Sequence, residues 1–247
     1  MALPKVSTPT YELTIPSTGE TVTYRPFLVK EEKTLLMAME AGGTAAMSNA
    51  MRDIISSCTE GNLKVKNLAP FDLEYFFLQL RGRSIGDVID VRIKKPENVD
   101  CKEEENCTQI CEIKINIDEI TVDTSKISDP KIEITDTIGV KMKYPQMETV
   151  QKLAGVDGEE DIKTDNIFKM INECIEYIWD DEEIFKAKDH TKKELNDFIE
   201  SLNTKQFNKI REFFESMPRL SKEVTWECPK CDKSTPLVLQ GIDSFFG

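Results

Sequence analysis

Histidine is almost absent from this sequence. Among 247 residues there is one, His190, and it stands just before a helix-capping Thr191. Ser–His–Asp catalysis and histidine-based metal catalysis therefore have almost no material, and a cysteine nucleophile has no imidazole partner. The 11 glycines are scattered, and "GVDGEED" lacks the lysine of a phosphate-binding loop. Positive charge is also short. Lys and Arg number 32 against 45 Asp and Glu, a net charge of −13. The nearest approach to a basic patch, "RIKKP" at 92–96, is followed at once by acids, which argues against nucleic acid and against an anionic membrane. No apolar run reaches the 18 or so residues of a membrane-spanning helix. The opening "MALPKVSTPTYELT" has neither the basic start nor the apolar stretch of a signal peptide, so the expectation is a cytosolic protein.

Cysteine, by contrast, is plentiful and unevenly placed. Cys58 and Cys174 fall on apolar helical stripes and read as core thiols. The other five cluster: Cys101, Cys107 and Cys111 in mid-chain, Cys228 and Cys231 near the end. In a reducing compartment such clusters suit a metal better than disulfides. Each cluster reads as strand, Cys, loop, Cys, strand. "DVIDVRIKK" precedes Cys101 and "EIKINIDEI" follows Cys107 by four residues. "EVTW" precedes Cys228 and "PLVLQGIDS" follows Cys231 by four residues. Two such hairpin tips facing each other make a zinc ribbon, with four thiolates closing a structural tetrahedral site. The expected ligands are Cys101, Cys107, Cys228 and Cys231. Cys111 is the alternate ligand, because the first pair has five intervening residues and Cys107 to Cys111 only three. A structural zinc here would pin the returning end of the chain to its centre.

The rest of the chain gives an α+β pattern. "TYELTIPSTGETVTYRPF" predicts a hairpin turning at Ser17–Gly19. Three helices follow. The first has Val29, Leu35, Leu36 and Met39 facing in; the second has a Met47, Met51, Ile54, Ile55, Cys58 stripe; the third opens at Pro70 and closes at Gly82. "GDVIDVRIKKP", "CEIKINIDEI", "PKIEITDT" and "GVKMKYP" predict one small antiparallel sheet. Helices return at "METVQKLAG", at "NIFKMINECIEYIW", at "HTKKELNDFIESL" with a capping box at Thr191 and Glu194, and at "TKQFNKIREFFESMP". The predicted fold is α+β: helical N- and C-terminal segments around a small antiparallel sheet, with a zinc-ribbon-like cysteine cluster formed by two hairpin tips. The predicted segments are 1–84, 85–146, 147–220 and 221–247, the last returning onto 85–146 in one compact unit. The acidic "WDDEEIF" lacks the spaced oxygens and central glycine of a calcium loop and reads as a solvated or partner-facing turn. Phe245 and Phe246 read as core residues before docking ones.

Three blocks carry a resemblance. "IPSTGETVTYRPFLVKEEKTLLMAMEAG", "IGVKMKYP" and "FFESMPRLSKEVTWECPKC…LQGIDSFFG" resemble the baseplate hub and hub-assembly proteins of T-even-like contractile-tailed bacteriophages, and the likeness covers nearly the whole chain. The resemblance implies a non-enzymatic protein that helps form the central hub of the baseplate, as hub subunit or as assembly factor. It implies other baseplate hub proteins as partners, oligomerisation through hub symmetry, and a place in the host cytoplasm during assembly or in the virion tail baseplate. The competing expectation is a zinc-ribbon nucleic-acid-binding regulatory protein. Lys230 and Lys233 would serve it, but Glu227, Asp232 and the acidic 101–107 loop offset them.

Overall fold

The computed structural model describes residues 6–96, 110–123, 130–154, 164–228 and 233–246. The chain opens with the hairpin β1 (Tyr11–Thr14) and β2 (Thr21–Tyr24), registered Tyr11 opposite Tyr24. Helices α1 (Val29–Ala41), α2 (Thr44–Cys58) and α3 (Pro70–Ile85) follow. Helix α3 does not close at Gly82. Lacking a side chain, Gly82 stays helical and lets the Ile117 methyl groups approach to where a Cβ would sit 3.4 Å away; the chain turns instead at Gly86, φ +144°.

The mid-chain strands do not form one sheet. β3 (Val88–Lys94) and β4 (Ile110–Asn116) pair only with each other. β5 (Thr121–Val122) joins the late hairpin of β10 (Leu220–Glu227) and β11 (Ser234–Gln240), in the order β11–β10–β5. β6 (Lys131–Glu133) and β7 (Gly139–Met142) belong to a four-stranded antiparallel sheet completed by β8 (Ile175–Trp179) and β9 (Ile184–Lys186). Local alternation sets a residue's face; which strand becomes its neighbour is a long-range choice.

β8 is also a correction. The amphipathic stretch 166–179 reads as one helix, but α5 (Thr164–Cys174) ends where the strand begins. "IEYIW" is β-branched and aromatic, and as a strand it pairs with β7 while keeping Ile175 buried. A short apolar run satisfies either period, and here sheet pairing wins. In that pairing Gly139 lies opposite Trp179, whose indole covers the position a Cβ would take.

The remaining helices are α4 (Met147–Ala154), α6 (Lys192–Ser201), α7 (Thr204–Glu215) and α8 (Asp243–Phe246). The Thr191 hydroxyl accepts from the Glu194 amide, and the Glu194 carboxylate accepts from the Thr191 amide at 2.7 Å, so the capping box forms as expected. One core gathers α2, α3, the β3–β4 hairpin and the inward residues Leu220 and Val224 of β10, with Ile242 and Phe245 of the chain end. A second gathers the four-stranded sheet with α5, α6 and α7. Tyr144 bridges them, edge-on to Phe71 at 5.2 Å and stacked on Phe213 at 5.4 Å.

Candidate functional site

Three places in this fold could carry function: the ends of two hairpins, the corner built by the "YRPFLVKEE" block, and the outer face of α1.

Along β10 the side chains alternate, and Leu220, Val224, Trp226 and then Cys228 point inward. The β10–β11 pairing runs to Glu227 opposite Ser234 and is extended by the Cys228 amide donating to the Lys233 carbonyl at 2.9 Å. Cys228 thus sits where the pairing ends. In the β3–β4 hairpin, Ile93 is registered opposite Cys111, one step from its last pair, Lys94 and Ile110. The two hairpin ends meet. Trp226 and Cys228 form a small buried cluster, and Ile93, Cys111 and Leu237 pack against it. The Trp226 side chain is fully buried, and its indole Nε1 has no hydrogen-bond partner among the described residues.

The structure thus brings Cys111, the cysteine held as alternate ligand, against the small cluster of Trp226 and Cys228. Cys101, Cys107 and Cys231 lie outside the described residues. Among the described residues no group of three or more His, Cys, Asp or Glu side chains is placed to hold a metal ion, so the zinc-ribbon element of the expected fold class is not seen there. Cys58 and Cys174 are both core residues, 1% exposed, and burial pushes their thiols up to about 11 and about 12. Both stay protonated and inert at neutral pH.

The signature blocks resolve into two buried carboxylates. Asp72, the third residue of α3, is fully buried. It accepts from the Ser17 amide at 3.0 Å, the Ser17 hydroxyl at 2.5 Å and the Ala69 amide at 3.3 Å, which docks the "PSTG" turn on the helix start. Burial raises its pKa above the usual value, against the pull of those donors. Glu31 is 4% exposed and accepts from Arg25 Nη2 at 2.9 Å, Ser57 Oγ at 2.6 Å and the Leu28 amide at 2.9 Å. Burial opposes its ionisation, but the hydrogen bonds from Arg25, Ser57, Leu28 and Lys30 outweigh it and hold the pKa at about 2. The pair locks the corner between β2 and α1 onto the end of α2.

That corner phases α1. The inward stripe is Glu31, Leu35 and Ala38, at spacings of four and three. Val29, Leu36, Met37 and Met39 are left more than half exposed, contrary to the expectation that Val29, Leu36 and Met39 face in. The cause is Glu31, which as the anchor takes an inward position that apolar periodicity assigns to its neighbours.

Elsewhere the chemistry is sparse. His190 stands 6.0 Å from the Phe185 ring and 4.0 Å from Glu194. The acidic turn after β8 is a hairpin tip in which the Asp180 carboxylate accepts from the Glu182 and Glu183 amides at 2.9 Å, which lowers its pKa. Lysines and glutamates share a cleft of about 770 Å³ beside β8 and β9, with Lys192 paired to Glu173 at 2.6 Å. No helix among the described residues is long and apolar enough to cross a membrane.

Comparison with known proteins places this architecture. No solved structure matches it. The baseplate hub assembly protein gp26 of Enterobacteria phage T4 is 23% identical over 236 residues, covering 96% of this chain and 97% of that protein. The family model described as T4 bacteriophage base plate protein matches residues 8–247, a span that holds both buried-carboxylate anchors and the two converging hairpins. The chain therefore belongs to the T4 bacteriophage base plate protein family.

Proposed function

We propose that this protein acts in assembling the central hub of a contractile-tail baseplate, by binding other hub proteins and without catalysing a reaction. One observation carries the reading: the family match covers residues 8–247 and the similarity to a hub assembly protein covers 96% of this chain. The surface supports it. The outer face of α1 leaves Val29, Leu36, Met37 and Met39 in water on a helix whose rotation is fixed by the Arg25–Glu31 lock. Unbranched methionines suit a contact that must accommodate a partner, and several large apolar side chains left exposed on one helix suit an interaction surface. The partner is another protein of the phage hub, met in the host cytoplasm where tails are built.

The test is complementation. A phage with this reading frame interrupted is expected to make no complete baseplates, and a plasmid copy of the chain to restore plaques. A copy carrying Leu36→Asp and Met37→Asp is expected to fold, by circular dichroism, yet fail to restore plaques or co-purify with identified hub proteins. Normal plaque yield from the interrupted phage would overturn the assembly role. Full rescue by the doubly substituted copy would overturn the assignment of α1 as the contact.

A further inference from the structure

We propose that two copies of this chain pair through the free edge of β9, with the acidic tip of each β8–β9 hairpin lying against the lysines that follow β9 in the other. The surface is separate from α1, and the inference does not rest on the hub reading.

The first observation is an open edge. β9 is the last strand of the four-stranded sheet, and among the described residues no further strand pairs with it. The Asp180 amide donates to the Glu183 carbonyl at 3.1 Å, so the ladder closes on a hydrogen-bonded pair. Antiparallel pairs alternate. Ile178 with Phe185 is therefore the next hydrogen-bonded pair, while Trp179 with Ile184 and Tyr177 with Lys186 are not. The backbone N–H and C=O groups of Ile184 and Lys186 thus point away from β8, toward the free edge. The Ile184 side chain is 60% exposed. Such an edge is a template for another strand.

The second observation is the order of charge along this hairpin. Residues 180–183 are four acids, 184 and 185 are Ile and Phe, and 186–193 hold four lysines against one acid, Asp189. In a chain of net charge −13 that lysine block is a local inversion. Lys186, Lys188 and Lys192 line the cleft of about 770 Å³. The nearby salt bridges join Lys141 to Glu176 and Lys192 to Glu173. Glu182, Glu183, Lys186 and Lys188 are exposed and have no ion-pair partner among the described residues. The Asp180 carboxylate, accepting from the Glu182 and Glu183 amides, holds the tip in shape.

Both observations point to the same occupant. Antiparallel pairing of β9 with the second copy's β9, centred on Phe185, sets Ile184 opposite the second copy's Lys186. In that register the outward backbone groups meet as hydrogen-bonded pairs. Glu182 then falls opposite the second copy's Lys188, and the contact repeats about a two-fold axis. Asp189 is the one acid set against the tip, and the lysines outweigh it. A strand of an unrelated protein satisfies the edge alone. A second copy also brings acids to the lysines and lysines to the acids, and opposite charges facing across paired strands are stabilising.

Sedimentation velocity of the full chain is expected to show a concentration-dependent dimer at about 0.1 M salt, where charges are screened over about 10 Å, and a monomer at about 1 M, where they are screened over about 3 Å. Lys186→Glu with Lys188→Glu, and separately Glu182→Lys with Glu183→Lys, are each expected to weaken self-association by about tenfold or more, because each sets like charge against like. All four side chains are exposed, so the core is left alone, with circular dichroism as the check. An equimolar mixture of the two variants is expected to form a heterodimer at the lower salt, since each carries the charge the other lacks. A monomer at both salts would overturn the pairing. So would a dimer indifferent to salt or to either reversal, which would put the contact on another face. A mixture that stays monomeric would overturn the match of tip to lysines.

Discussion

Replacing Glu31 by glutamine should reveal how much of the fold hangs on one charged corner. The substitution keeps the size and one acceptor oxygen, enough for either the Leu28 amide or the Ser57 hydroxyl, and removes the negative charge. Arg25, whose side chain is 13% exposed, then keeps its guanidinium buried without a counter-charge. Breaking one half of a buried pair costs about 3–5 kcal/mol. The depressed pKa leads to a similar figure. A shift from 4.5 to about 2 corresponds to roughly 3 kcal/mol at about 1.36 kcal/mol per pH unit. For a chain of this size that lowers the melting temperature by about 6–12 °C. The pH dependence is the sharper test. Glu31 has a depressed folded-state pKa, so its contribution is fully present above pH 4.5 and is lost as the pH falls toward about 2. Urea unfolding of wild type and Glu31→Gln should differ by roughly 3 kcal/mol at neutral pH and converge across that acid window. A difference below about 0.5 kcal/mol at neutral pH, or one that stays constant down to pH 2, would refute the anchoring role. The double variant Arg25→Met, Glu31→Leu should recover much of the loss, because no charge is left stranded.

Asp72 should titrate with the opposite sign. Its folded pKa is raised above 3.8, so its contribution is present at low pH and is lost as the pH rises through the folded value. Ser17→Ala removes the hydroxyl that favours the carboxylate and should cost about 1–2 kcal/mol at neutral pH, less in acid, read by urea unfolding. Gly139→Ala should disrupt the β7–β8 pairing, because the new Cβ would fall 1.9 Å from the Trp179 ring. A loss of about 1–3 kcal/mol with a changed tryptophan emission is expected, and an unchanged spectrum and stability would refute that packing. Thr191→Ala should cost about 1 kcal/mol by removing the cap of α6, measured by thermal melting.

The sequence by itself determined the features that depend on near neighbours. The PSTG hairpin, the α2 stripe from Met51 to Cys58, the Thr191 capping box and the family resemblance were all legible, because turn chemistry, helical period and cap spacing act over a few residues. Tertiary structure decided the rest. It cut 166–179 into helix and strand, since a short apolar run fits both periods until a partner strand satisfies its backbone. It divided the mid-chain strands among three sheets, since alternation names a strand's face and not its neighbour. It turned α1 outward, since a glutamate marks solvent in a sequence unless an arginine and a serine from elsewhere enclose it. It also brought Cys111 of one hairpin to the buried cluster of Trp226 and Cys228 in another. Spacing counts residues along one chain, whereas contact between two hairpins depends on where their registers end.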